Sequence, residues 1–391
     1  MSVAIVPPDR EATSDRGAAG DREALTDCEA GPGREVPADR ESGPDREVPT
    51  DREAGSYREA GPGREVPANR ESGPDREAGL RREWLAPFDV DVRLTLSVYR
   101  HGAGDPAYRV DVAGAVWRTS LTPDGPGTLR VTSRRAGGPP GPPGAPQRTL
   151  VTGQAWGPGA RWLLDGLPAQ LGADDDPSGL TAAHPVLADL ALRYQGLRVG
   201  RTWRVFEALV PAVLEQKVVG HEAHRAWRML LRKFGSAAPG PAAAGMRVVP
   251  SPAQWARIPS WDWHRAGVEG VRARTIITAA GVAGRLEQVL DLDPAEADRR
   301  LRSLPGIGPW TSAEIRQRAA GDPDAVSVGD YHLPKAVGWT LAGRITDDAG
   351  MLELLKPYAG HRYRVTRLIE LGGSQPPRRG PHLPIRDYRA F

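Results

Sequence analysis

Leu304-Pro-Gly-Ile-Gly-Pro-Trp310 decides how this chain of 391 residues is read. Upstream, Asp293-Pro-Ala-Glu296 has the form of an N-cap, a proline at the first helical position and an acid three residues on, a capping-box pattern. The helix it opens stops at Ser303-Leu304, ahead of Pro305. Gly306 and Gly308 then supply a tight turn, because glycine reaches φ > 0 without steric cost. Pro309 restarts a helix that runs through Thr311 to Ala320 and ends at Gly321. A Gly-x-Gly turn entering a helix N-terminus presents backbone N–H groups and a positive dipole end, which suit a phosphate. The dinucleotide fingerprint fails, since Thr311 stands where its third glycine belongs and no strand precedes the turn. Helix, hairpin, helix is the consistent reading: a device that grips a nucleic-acid backbone without reading bases.

Eighteen residues past Trp310 begins Val328-Gly-Asp-Tyr-His-Leu-Pro-Lys335, which sets Asp330 twenty residues past it. By itself Asp330 is a good helix N-cap. Together, hairpin and correctly spaced Asp resemble the helix-hairpin-helix (HhH-GPD) DNA glycosylases, and within them the bacterial 3-methyladenine DNA glycosylase II branch. That branch shows Pro-Gly-Ile-Gly-x-Trp-Thr and then Asp-Tyr; here stand Pro305-Gly-Ile-Gly-Pro-Trp-Thr311 and Asp330-Tyr331. The resemblance spans residues 185 to 370 well and 84 to 180 loosely.

The resemblance implies an α+β chain. A small antiparallel sheet domain at residues 84–180 precedes a two-lobed all-α glycosylase domain at 181–373, whose hairpin is 304–310. It further implies a monofunctional DNA glycosylase for alkylated purines of the 3-methyladenine type. Asp330 would be the catalytic carboxylate, stabilising positive charge on the sugar and orienting water. Trp310 and Tyr331 would wall the base pocket. Gly306, Ile307, Gly308, Thr311, Gln216, Lys217 and Lys335 would contact DNA. Backbone carbonyls of Leu304 and Ile307 would hold Na+ or K+, with no other cofactor required. Trp310 stands where relatives that also cut the backbone carry a Schiff-base lysine, hence no lyase step. The expected partner is double-stranded DNA carrying damaged bases, bound by a monomer.

Two departures bear on this. The branch follows the Gln with an apolar wedge residue, whereas Lys217 follows Gln216 here. Near the branch's tryptophan in the last helix stands Ile369. Two other readings therefore stay open: a hairpin protein that binds damaged or unusual DNA without chemistry, and a glycosylase for an oxidised or deaminated base. His221-Glu-Ala-His224 is not the zinc motif, which needs two residues between Glu and the second His.

Composition agrees with a polyanionic partner. Residues 1–80 carry 11 Arg against 19 Asp and Glu, net −8; with +3 for the whole chain, the remainder carries +11. Cys28 is the single cysteine, which excludes disulfides within the chain, cysteine-zinc sites and the four-cysteine cluster of endonuclease-III-like relatives. No signal peptide or membrane span is read, so a cytoplasmic protein is expected.

In chain order, residues 1–83 read as a disordered acidic repeat arm, with Gly31-Pro-Gly-Arg-Glu-Val-Pro returning at Gly61. Val90, Val92, Leu94, Leu96 and Val98 alternate with polar residues and predict a strand. Tyr108, Val110, Val112 and Val116 predict another, Leu129 and Val131 begin a third, and residues 149–156 a further one. The run 137–144 is a Gly/Pro loop. In residues 201–216, Phe206, Leu209, Val210, Val213 and Leu214 make a core-facing helical stripe that Pro211 should kink or divide. Residues 222–234 and 268–280 read as helices, and Ser251-Pro-Ala-Gln254 as a capping box opening the helix of Trp255. Residues 374–391 read as a disordered tail.

Overall fold

The computed structural model describes residues 79–136 and 148–377. The acidic arm up to residue 78 with Cys28, the Gly/Pro run 137–144 and the tail beyond 377 lie outside the described residues.

Five antiparallel strands form the amino-terminal sheet: β1 (Leu80–Ala86), β2 (Tyr108–Val110), β3 (Val116–Thr122), β4 (Gly125–Arg135) and β5 (Thr149–Trp156), in the spatial order β1-β5-β4-β3-β2. Val116 faces Val131, and Leu129 faces Ala155, so inward residues stack across the strands. Two short helices, α2 (Ala160–Asp165) and α3 (Leu167–Gln170), close this core through Leu163, Leu164 and Leu167.

Three expectations change here. Residues 90–98 are not a strand: Asp91 accepts the N–H of Leu94 at 2.9 Å and caps a helix, α1 (Val92–Leu96), continued by a 3-10 turn at Ser97–Tyr99. One cap sufficed to override a short alternation. The missing strand is β1, whose first four residues were assigned to the arm because Arg81, Arg82 and Glu83 continue its charged character; charge on an edge strand instead blocks stray pairing. Finally, 108–116 is two strands, parted where Asp111 accepts the N–H groups of Ala113 (3.0 Å) and Ala115 (2.9 Å), leaving Val112 exposed.

The helical part begins with α4 (Pro185–Arg193) and has two cores. The first gathers α5 (Val205–Leu214), α6 (Gly220–Phe234), α7 (Pro252–Ala256), α8 (Ser260–Ala266), α9 (Gly270–Gly281), α10 (Ala283–Glu287), α11 (Pro294–Arg302) and α12 (Pro309–Ala319). The second packs α4 with α13 (Leu333–Ala342), α14 (Asp348–Leu355) and α15 (Arg362–Gly372). Residues 201–216 give α5, which is buried on every side, not along one stripe, and passes through Pro211 undivided. The capping box at Ser251 is present with both bonds. Asp293 caps α11 through the N–H groups of Ala295 and Glu296, but Glu296 pairs with Arg299 and does not return to the cap. No helix among the described residues is long and apolar enough to cross a membrane.

Sheet and helices are locked by buried polar groups. Arg118 donates to Gln170 (2.9 Å) and to Glu207 of α5 (3.2 Å), and Ser120 donates to Glu207 at 2.6 Å. Arg318 of α12 donates to the carbonyl of Val98 at 3.1 Å.

Candidate active site

The hairpin between α11 and α12 is held from three directions. Ile307 drives its side chain into the first core, and its N–H closes the turn on the Leu304 carbonyl at 3.1 Å. Ser312 donates to Asp298 at 2.7 Å, tying the two helices together. Gln216, from the loop after α5, donates from Nε2 to the Gly306 carbonyl (2.9 Å) and to the Thr311 hydroxyl (2.8 Å). Gln216 and Thr311, expected against DNA, are thus engaged first in building the hairpin. Only Gly306 uses the left-handed region, at φ +89; Gly308 is extended, with φ −92 and ψ −178, and caps α12. The first N–H groups of α12 have no intrahelical acceptor and lie at the positive dipole end.

Asp330 lies on the loop between the two cores. Its Oδ1 accepts the N–H groups of His332 (2.7 Å) and Leu333 (2.8 Å), and its Oδ2 accepts the indole N–H of Trp310 at 3.1 Å. The cap role leaves one oxygen available: Oδ1 is spent on α13, while Oδ2 keeps a lone pair. Trp310 belongs to the first lobe and Leu333 to the second, so this carboxylate is clasped by both.

Tyr331, expected as a wall of the base pocket, directly follows Asp330 on the same loop. It is 64% exposed, with Lys335 Nζ 3.3 Å from its ring centroid and the His332 ring edge-on at 4.9 Å. Ile369 is fully buried in the second core. Lys217 is exposed in the left-handed region at φ 55, costly for a lysine. Just before it, Glu215 meets His101 at 3.3 Å and His224 at 3.8 Å. Burial pushes the Glu215 carboxyl up, but the His101 hydrogen bond and charge, with Arg318 and His224, overcome that and hold it below its ordinary value. Burial pushes His224 down.

A cavity of about 190 Å³, whose lining does not include Asp330 itself, is built by residues that the sequence did not single out. Glu314, Gln317 and Arg318 line it from α12, at i, i+3, i+4 spacing one turn beyond Trp310. Ser327 and Leu333 link it to Asp330: the Asp330 N–H donates to the Ser327 carbonyl at 3.3 Å, and Leu333 donates to Oδ1. Tyr363, Arg367 and Glu370 come from α15, and Ser97, Val98 and Arg100 from the turn after α1. The available signal was polar spacing on a buried helix face. Among the described residues no group of three or more His, Cys, Asp or Glu side chains could hold a metal ion. The Leu304 carbonyl, proposed with that of Ile307 as a monovalent-cation ligand, already takes one hydrogen bond and keeps its second lone pair.

No family model matches the chain. A protein of Mycobacterium tuberculosis described as a probable bifunctional transcriptional activator/DNA repair enzyme AlkA is 33% identical over 168 residues, which is 42% of this chain and 33% of that one. The chain thus spans about a third of the length of the curated relatives it matches. Among solved structures, a 3-methyladenine DNA glycosylase from Archaeoglobus fulgidus superimposes with TM-score 0.59 at 18% identity, over 74% of this chain and 97% of the other. An 8-oxoguanine glycosylase/lyase from Clostridium acetobutylicum, in complex with DNA containing cytosine opposite 8-oxoG, gives 0.54 at 12% identity over 72% and 90%. The chain shares the fold of these two DNA glycosylases.

Proposed function

We propose that this protein is a monofunctional DNA glycosylase that hydrolyses the N-glycosidic bond of a damaged purine in double-stranded DNA. The observation that carries it is Asp330: a carboxylate clasped between two lobes, with one oxygen still open, behind a hairpin whose helix N-terminus suits phosphate. The hairpin grips the backbone, the damaged nucleotide is flipped out, and its C1′ comes to rest beside Oδ2. As the base leaves, positive charge grows on the sugar; the carboxylate stabilises it and orients the attacking water. A lyase step needs an amine at the reacting carbon. Two of the four lysines are paired, Lys233 with Asp262 and Lys356 with Glu353; Lys335 lies over the Tyr331 ring and Lys217 is exposed. Trp310 holds the position an amine would take.

Alkylated purines of the 3-methyladenine type are the substrate class in line with the sequence resemblance and with the name of the Archaeoglobus structure. One observation favours a second class, oxidised or deaminated bases: the cavity that Ser327 and Leu333, both bonded to Asp330, help to line is otherwise walled chiefly by hydrogen-bonding and charged groups. The test is base release from alkylated duplex DNA by wild type and Asp330→Asn, with DNA binding assayed in parallel. Release that collapses in the variant while binding persists supports the reading. Tight binding without release from any damaged duplex would leave a binding protein.

A further inference from the structure

The sheet ends on β2, and the outer edge of that strand is open. Strand order puts β3 on one side of β2 and no strand on the other. In an antiparallel ladder, alternate residues turn their N–H and C=O to a given neighbour. Thr119 donates to the Ala107 carbonyl at 3.0 Å and Asp111 to the Ala115 carbonyl at 3.0 Å, so residues 107, 109 and 111 face β3. Pro106, Tyr108 and Val110 therefore turn their bonding groups outward. The Pro106 carbonyl takes the N–H of Arg247 at 2.8 Å. Among the described residues, no hydrogen bond reaches the main chain of Tyr108 or Val110 from that side. A short, charged edge is ordinary protection against stray pairing. This edge, however, lines a cleft of about 470 Å³, together with Arg232 of α6, Gly245 and Met246.

The charges say what kind of guest. Arg100, Arg109 and Arg232 line the cleft and are exposed. Arg109 and Arg232 pair with no acid among the described residues, and Arg100 gives its Nε to the Gly102 carbonyl at 3.2 Å. Asp105, the one acid in the lining, is already engaged. Its Oδ1 accepts the N–H of Ala107 (2.9 Å) and the indole of Trp227 (2.8 Å), and its Oδ2 accepts the N–H of His101 (2.8 Å). The cleft thus carries surplus positive charge. A phosphate chain would use the guanidinium groups but leave the outward carbonyls of Tyr108 and Val110 against anionic oxygens. An extended peptide meets N–H and C=O alike.

We propose that this edge takes up an extended acidic segment of a partner protein, which joins the sheet as a further strand beside β2. Main-chain bonds to Tyr108 and Val110 hold it about 4.8 Å from β2. Its side chains alternate, with acids on the face of Arg109 and small apolar residues on the face of Tyr108 and Val110. The cleft shares no residue with the hairpin or with Asp330, so the proposal stands apart from the glycosylase reading.

The experiment titrates the full chain against a fluorescent peptide of about eight residues, an ordinary strand length, that alternates Glu with Val. A peptide with Lys for Glu is the control. Anisotropy should report binding of the Glu peptide and none of the Lys peptide. Arg109→Glu combined with Arg232→Glu should weaken that binding by at least roughly tenfold. Val110→Pro removes one outward N–H while keeping the guanidinium groups and the ladder to β3, and should weaken binding by a similar factor. Amide exchange gives a readout that needs no variant: the Tyr108 and Val110 amides of the wild type should gain protection when peptide is bound. No binding by wild type, full binding by either variant in its folded form, or amides left unprotected overturns the proposal. Displacement of the peptide by inorganic pyrophosphate makes the cleft an anion site and overturns it, as does displacement by undamaged duplex, which makes it part of the DNA surface. Self-association of the chain that Arg109→Glu abolishes gives the edge to a second copy, and overturns it too.

Discussion

Trp310 and Asp330 are joined by one hydrogen bond, indole Nε1 to Oδ2 at 3.1 Å, across the gap between the two helical cores. That bond aims the carboxylate oxygen not occupied by the cap of α13. Trp310→Phe keeps the ring and removes the donor. A hydrogen bond to a charged group contributes about 1.5–3 kcal/mol, so base release should slow by roughly tenfold to a hundredfold while DNA affinity stays. Single-turnover kinetics against anisotropy titration checks this; an unchanged rate would show that Oδ2 needs no aiming.

The two hairpin glycines should behave differently. A Cβ on Gly306 would run into the Thr275 hydroxyl, at a φ that alanine resists. Gly306→Ala should cost about 1–3 kcal/mol of stability. A Cβ on Gly308 meets nothing within 4 Å. There the poorer N-cap and the gain from a stiffer unfolded chain are each up to about 1 kcal/mol and opposed. Gly308→Ala should leave Tm within a few degrees yet weaken DNA binding, because the added methyl stands where a phosphate would approach. Calorimetry with binding isotherms separates the two, and full affinity in Gly308→Ala would remove phosphate from that turn.

Lys217 holds a left-handed backbone that glycine would adopt without strain. Lys217→Gly should gain roughly 1 kcal/mol in stability and lose DNA affinity, with the slope of log K against log salt shallower by about one. A thermal melt and a salt titration test both halves; an unchanged slope means that Lys217 meets no phosphate.

Acid should weaken the fold through Glu215 and His224. The Glu215 carboxyl is held below its ordinary value, so its stabilisation is full above the unfolded carboxyl range and lost as pH falls through the folded value. His224 is also lowered, so protons bind it more readily unfolded, and stability falls as pH drops from about 6.5. Both act in one direction. In Glu215→Gln, Tm should decline less steeply below pH 5 than in wild type; parallel curves would exclude the cluster.

The hairpin was legible in sequence because Pro305, Gly306 and Pro309 restrict the backbone locally, whatever surrounds them. Asp330 was legible through its distance from that hairpin. The cavity was not, since Arg100, Glu314 and Tyr363 are each unremarkable in their own segments and meet only when three elements pack. Tyr331 was singled out by its adjacency in sequence to Asp330, and the fold leaves its ring outward with Lys335 over it. Residues 90–98 were misread because a single Asp91 cap outweighed four alternations.

The turn after α1 reaches into the helical part: the Val98 carbonyl takes a guanidinium N–H of Arg318, and the Ser97 hydroxyl takes one from Arg367 at 3.0 Å. The sheet is therefore a share of the cavity and not a stand beneath it. Recombination that exchanged the amino-terminal sheet for a relative's would therefore reshape that cavity with every helical residue intact.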